Sequence, residues 1–145
     1  MDLTESLKKV LANTFGMYLQ AHNYHWNVEG MFFSQLHAFF GDLYGQLFAA
    51  VDPIAEHIRA LGAYAPASMS RYLELMSVED ETSVPSARDM ITKLVAANDL
   101  VRASLYDAHH AAEAANENGV INFLEDRIDA HDKISWLLKA HLKQI

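Results

Sequence analysis

His22–Glu56 reads HNYHWNVEGMFFSQLHAFFGDLYGQLFAAVDPIAE. Four side chains in it can bind a metal: His25, His37, Asp52 and Glu56. They follow one another at intervals of 12, 15 and 4 residues. Only the last pair, at i and i+4, shares a helical face. From Ser34 to Leu61 the chain carries the apolar stripe Leu36, Phe39/Phe40, Leu43, Leu47, Val51, Ile54, Ile58 and Leu61. Its three- and four-residue steps predict an amphipathic helix, with Gly62 as the stop. A second stripe runs along the same helix through Phe33, His37, Tyr44, Phe48 and Asp52. A helix in a lone bundle needs one apolar face, so the second predicts a further packing partner, most simply another subunit. Gly41 and Gly45 sit beside that stripe, where they let a partner helix approach closely. Pro53 removes one backbone bond and predicts a kink near Ala49.

Working outward, a preceding helix is expected from Thr4 to Val28, with Thr4 as its N-cap. Its stripe is Leu7, Leu11, Phe15 and Tyr18, and the same steps lead on to His22 and His25. Glu29-Gly30 ends it. Residues 63–85 form a long connection in which Ser68–Met76 is expected to be a short helix. Links within helix bundles are usually much shorter. A long one crosses the bundle's length and lets the helices on either side run parallel, the one-crossover topology of ferritin-like bundles. A third long helix is expected from Ser86, with Asp89 completing a capping box. Its stripe is Met90, Leu94, Ala97/Asn98, Val101, Leu105, Ala108 and Ala112. Asn116–Gly119 are expected to turn the chain into a last helix reaching Leu142, with the stripe Leu124, Ile128, His131, Ser135, Leu138 and Leu142. The expected fold is all-α: one ferritin-like four-helix bundle over residues 1–145, with a single long crossover.

Composition agrees. The chain has 145 residues, 51% of them hydrophobic, with only six Gly and three Pro. That argues against disorder and against strand-type alternation. Cysteine is absent, which excludes disulfides, thiolate metal sites and a cysteine nucleophile. MDLTESLKK lacks a basic start followed by an apolar run, so it is no signal peptide. With no apolar run long enough to span a bilayer, a cytoplasmic location is expected. The formal charge of −8 repels nucleic acid and attracts cations, and eight histidines hint at metal chemistry.

Along one helix, His37 and Asp52 are roughly 22 Å apart at the α-helical rise. No single metal ion bridges that distance. If all four residues serve one site, it must draw on two chains. Two such helices packed antiparallel about a two-fold axis bring His37 of one near Asp52 and Glu56 of the other, giving two equivalent sites. His25, one loop back, joins from the histidine side. Two imidazoles and two carboxylates suit Fe(II), Mn(II) or Zn(II). Trp26, beside His25, is placed to supply or absorb an electron.

Residues 15–62 resemble the Dps family, the mini-ferritins called DNA-binding proteins from starved cells. The matching pieces are His25-Trp26-Asn27-Val28 with Gly30, Leu36-His37, Asp52-x-x-Ala55-Glu56 and Leu61-Gly62. Asp126-Arg127-Ile128, His131-Asp132-Lys133 and Trp136-Leu137-Leu138 add to them. The resemblance implies a hollow dodecamer with ferroxidase sites at two-fold interfaces. There His25 and His37 from one subunit, and Asp52 and Glu56 from its mate, bind iron. It implies oxidation of Fe(II) by hydrogen peroxide or O2, usually best by peroxide, storage of ferric mineral, and protection from oxidative damage. Trp26 matches a tryptophan thought to quench radicals. The family often binds DNA through a lysine-rich tail. This chain has none, and its charge opposes phosphate contacts, so no DNA binding is expected at physiological salt. Three departures stand out: Pro53 between the carboxylates, His57 where arginine is common, and Asn122 where an acidic pore residue is common.

Two rivals remain at this stage. An iron site inside each bundle uses Glu-x-x-His pairs, of which this sequence has none. Asp107-x-x-His110 and His109-x-x-x-Glu113 are the nearest substitutes, read as solvated because nothing comparable is evident on the last helix. The other is a non-enzymatic shell or nucleoid-associated, DNA-protecting protein with a degenerate metal site.

Overall fold

A computed structural model describes residues 2–143. Five helices follow in order: α1 (Leu3–Asn27), α2 (Phe33–Ala60), α3 (Met69–Leu75), α4 (Ala87–Ala114) and α5 (Asn118–His141). The four long ones are the expected bundle, and α3 is the expected short helix in the crossover. The α1 N-cap is Asp2, not Thr4: Asp2 Oδ1 accepts from Glu5 N at 2.8 Å, while Thr4 Oγ1 donates to the same oxygen at 3.0 Å. A carboxylate there suits the positive end of the helix dipole. Gly30 at φ +112° and Gly62 at φ +93° take the backbone conformations that end α1 and α2. Helix α2 runs unbroken through Pro53. Ser86 Oγ accepts from Asp89 N at 3.2 Å and caps α4. The last turn is tighter than expected, because Asn116 reverses the chain at φ 56° and α5 has begun by Asn118.

The core row of α1 is Leu3, Leu7, Val10, Thr14, Met17, Ala21 and Tyr24, all buried. That seven-residue repeat is the seam of a left-handed bundle. Phe15 and Tyr18 therefore turn off the core line. Phe15 packs on Tyr72 of α3 at 4.8 Å between ring centroids, and Tyr18 on Phe48 of α2 at 5.1 Å. On α4 every residue of the expected stripe is buried. On α5 the buried residue is Ile134 rather than Ser135.

A buried polar row, Ser6, Asn13 and Gln20, also repeats every seven residues on α1. Its middle member holds the crossover. Asn13 Oδ1 accepts from Ser77 N at 2.8 Å and Val78 N at 3.2 Å. Further on, Tyr24 Oη donates to Glu81 Oε1 at 2.7 Å, and Lys93 Nζ lies 3.1 Å from the same carboxylate. The crossover thus travels along α1 toward its C-terminal end, where α4 begins. Since α1 and α2 are antiparallel, α2 and α4 run parallel. Between α4 and α5, His131 is fully buried: its Nδ1 lies 2.7 Å from Asn98 Oδ1, and Asn98 Nδ2 donates to His131 O at 2.9 Å. Arg127 contacts His131 Nε2 at 3.1 Å.

Candidate metal centre

The short link between α1 and α2 brings His25 and His37 face to face. Their rings stack at 3.9 Å, 17° from parallel. His25 Nδ1 donates to His37 O at 2.7 Å, and His37 Nδ1 donates to His25 O at 2.7 Å. A carbonyl oxygen can only accept, so both Nδ1 atoms carry the proton. In the neutral ring this tautomer leaves the lone pair on Nε2, the form in which imidazole binds metal. Phe33 stacks on His37 at 5.1 Å and Tyr44 lies 5.2 Å from His25.

Gly41 belongs to this arrangement. A Cβ there would lie 3.0 Å from His25 Cε1 and Nδ1. Its place beside the second stripe was expected to admit a partner helix; within the chain it admits the His25 ring. Gly45 has no such neighbour, so a partner remains the reading for it.

Asp52 and Glu56 are exposed on the C-terminal half of α2. Within one chain they are not brought to the histidines. Among the described residues, no three His, Cys, Asp or Glu side chains form a group able to hold a metal ion. The second stripe of α2 is only partly covered: His37 and Tyr44 are half-buried, while Phe33 is 43% exposed and Phe48 57%. Trp26, 64% exposed, continues this apolar face onto α1. There a groove of about 450 Å³ lies between α1 and α3, with Leu19, Trp26, Met69 and Leu73 among its lining residues.

One participant was not singled out in the sequence. His22 lies between Trp26 and Tyr44, 3.9 Å from the first ring and stacked on the second at 4.0 Å and 8°. Tyr18 Oη lies 3.2 Å from His22 Nδ1. Burial, and then the nearby His25, push the His22 imidazole below its ordinary range. Its spacing of four residues from both Tyr18 and Trp26 was the available signal.

His57 packs on Phe123 of α5 at 4.5 Å. One other expectation changes. His109 is not simply solvated: Glu125 of α5 faces it, 3.1 Å from Nε2, and Glu113 lies 3.3 Å from Nδ1.

Comparison with known proteins agrees with this architecture. The ferritin-like domain family matches residues 4–145. DNA protection during starvation protein 1 of Deinococcus radiodurans is 33% identical over 141 residues, covering 95% of this chain and 67% of that protein. The DNA protection during starvation protein of Brevibacillus brevis is 33% identical over 140 residues, covering 94% and 92%. The crystal structure of the Dps protein of Vibrio cholerae O1 superposes with a TM-score of 0.93 at 30% identity, covering 97% of this chain and 88% of that one. That protein is described as a member of a broad superfamily of ferritin-like diiron-carboxylate proteins.

Proposed function

This chain belongs to the Dps family of ferritin-like proteins, and from that premise we propose that it is an iron-storing mini-ferritin whose ferroxidase sites form between subunits. The observation that carries the proposal is the reciprocal His25–His37 pair. It fixes two imidazoles with their Nε2 lone pairs free, while the carboxylates that complete the set lie far along the same helix. A two-fold pairing of α2 helices through Phe33, Tyr44 and Phe48 closes the gap and covers an apolar face that the single chain leaves open. Asp52 and Glu56 of the mate then add the negative charge and hard oxygen donors that Fe(II) and Fe(III) prefer.

The chemistry follows from the donors. Peroxide needs two electrons and two protons to become two waters, and two Fe(II) ions supply the electrons. The His25 and His37 imidazoles hold the ions without giving up a proton, because each Nδ1–H is already committed to a carbonyl. Trp26 stands beside the site as a sink for stray oxidising equivalents. Six such dimers make the hollow dodecamer in which ferric mineral collects, in the cytoplasm, protecting the cell from iron and peroxide together. DNA binding is not part of this reading, since each subunit brings a formal charge of −8.

The test is Fe(II) oxidation with hydrogen peroxide in wild type, His37→Ala and Glu56→Ala. Wild type should oxidise iron rapidly and both variants slowly. Equal rates in all three would leave the non-enzymatic shell as the better account.

A further inference from the structure

The stack beside the histidine pair has an end that the iron chemistry above does not use. Trp26 touches His22, His22 touches Tyr44, and Tyr18 Oη reaches His22 Nδ1 at 3.2 Å. A phenol yields an electron readily only if its proton has somewhere to go, since the protonated radical is a very strong acid. Three tyrosines lie near enough to matter. Tyr44 is stacked on His22, but its hydroxyl has no hydrogen-bond partner among the described residues. Tyr24 does have an acceptor in Glu81. Burial opposes charge on Glu81, yet hydrogen bonds from Tyr24, Lys93 and Ser83 hold its carboxyl down at about 2, which makes it a poor base. Nor does Tyr24 pack on Trp26 or His22; its ring neighbour is Phe40 at 6.1 Å. Tyr18 alone combines an imidazole acceptor with ring contact to the stack, 5.6 Å from His22 between centroids.

We propose that Tyr18 and His22 form a proton-coupled redox pair that supplies one electron, through Trp26, when the iron site is one electron short. His22 takes part as the Nε2–H tautomer, so that Tyr18 Oη–H donates to Nδ1.

The inference rests on the ferroxidase reading for its physiological setting: peroxide meeting a site with one Fe(II) instead of two. The O–O bond then breaks with one electron from Fe(II) and one from the protein. Trp26 gives that electron first and is refilled by Tyr18. The Tyr18 O–H bond breaks, its proton passes to His22 Nδ1, and the neutral tyrosyl radical remains. Two solvent protons complete two waters. The stack thereby turns a would-be diffusing radical into one fixed at a known residue.

An iron-free assay isolates the relay from ferroxidase activity. The assembled protein, with the solvent-exposed Tyr64 and Tyr106 replaced by Phe in every sample, is irradiated with a soluble ruthenium photo-oxidant, with persulfate as electron acceptor, and frozen for electron paramagnetic resonance. This background, wild type at the stack, should show a tyrosyl signal. Tyr18→Phe should lose it and leave a longer-lived tryptophanyl signal, and Trp26→Phe should lower the tyrosyl yield. Tyr44→Phe should retain the wild-type signal. His22→Phe keeps a ring in the stack but removes the proton acceptor, and should also lose the tyrosyl signal with Tyr18 intact. Circular dichroism and sedimentation confirm that each variant is folded and assembled. A tyrosyl signal of wild-type size in either Tyr18→Phe or His22→Phe would overturn the proposal. Failure of wild type to oxidise Fe(II) would instead remove the physiological setting, a result the photochemical signal does not depend on.

Discussion

His25 and His37 each donate Nδ1–H to the other's backbone carbonyl, both at 2.7 Å. Two bonds of this kind lock two ring orientations and two tautomers at once. They also clamp the end of α1 to the start of α2, so that forming the hairpin and preparing the ligand pair are one event.

Gly41 is part of that lock. In Gly41→Ala the new Cβ would stand 3.0 Å from the His25 ring, which must move a few tenths of an ångström. Ala should favour the helix by about 1 kcal/mol over Gly. Thermal stability should therefore hold, while Fe(II) affinity falls about 10- to 100-fold, the usual consequence of disturbing the support of a ligating histidine. Titration with Fe(II) under anaerobic conditions, beside a melting curve, checks both halves. Gly119→Ala, with open space around it, is the control.

Gly45→Trp asks a different question. The position adjoins the partly covered stripe of α2 and meets nothing within its own chain. A bulky ring there should prevent the two-fold pairing, and sedimentation should show smaller species that are still helical. Ferroxidase activity should disappear with the assembly. A folded monomer with full activity would refute a shared site.

The buried His131 predicts a pH dependence of stability. Burial first, and then the charges of Arg127 and Arg102, hold its imidazole down to about 3 from an ordinary 6.5. Between those values the unfolded chain binds a proton that the folded chain refuses. Its contribution to stability is complete above about pH 6.5 and declines by about 1.4 kcal/mol per pH unit as the pH falls toward the folded value. Urea unfolding at a series of pH values should show a shallower acid slope in His131→Gln. Asn98→Ala, which leaves the buried His131 Nδ1–H unpaired, should lose roughly 1–3 kcal/mol at neutral pH.

Charge predicts a negative result with DNA. At ~150 mM salt, where exposed charges are screened beyond ~8 Å, a gel-shift assay should show no stable complex. A retarded band under those conditions would mean that the acidic subunits assemble into a surface with a basic patch.

Much of this architecture was legible in the sequence because it rests on periodicity. The stripes of α2 and α4, the short helix within the crossover and the stops at Gly30 and Gly62 follow from local chemistry. The misreadings have local causes too. On α1, the stripe through Phe15 and Tyr18 and the true seam through Thr14 and Met17 both step by three and four residues, yet lie one residue, about 100°, apart around the helix. Spacing alone does not separate them. Thr4 and Asp2 are both good caps, and the carboxylate prevailed. What no periodicity could show is tertiary: that Gly41 makes room for His25, that Glu125 meets His109, and that His22 bridges Trp26 and Tyr44. The sequence and the single chain meet the same boundary at the candidate site. They supply two half-sites on one helical hairpin, and the pairing of chains lies beyond both.

That pairing can be measured by complementation. One chain carries His25→Ala and His37→Ala, the other Asp52→Ala and Glu56→Ala, and the two are mixed, dissociated and reassembled. Alone, each should be inactive toward Fe(II) and peroxide. In a two-fold dimer of unlike chains one site is doubly defective and the other is wild type. Random pairing should therefore restore about one quarter of wild-type activity per subunit. If the mixture stays as inactive as its parents while reassembling fully, the ligands do not meet across the interface, and the inter-subunit ferroxidase site is wrong.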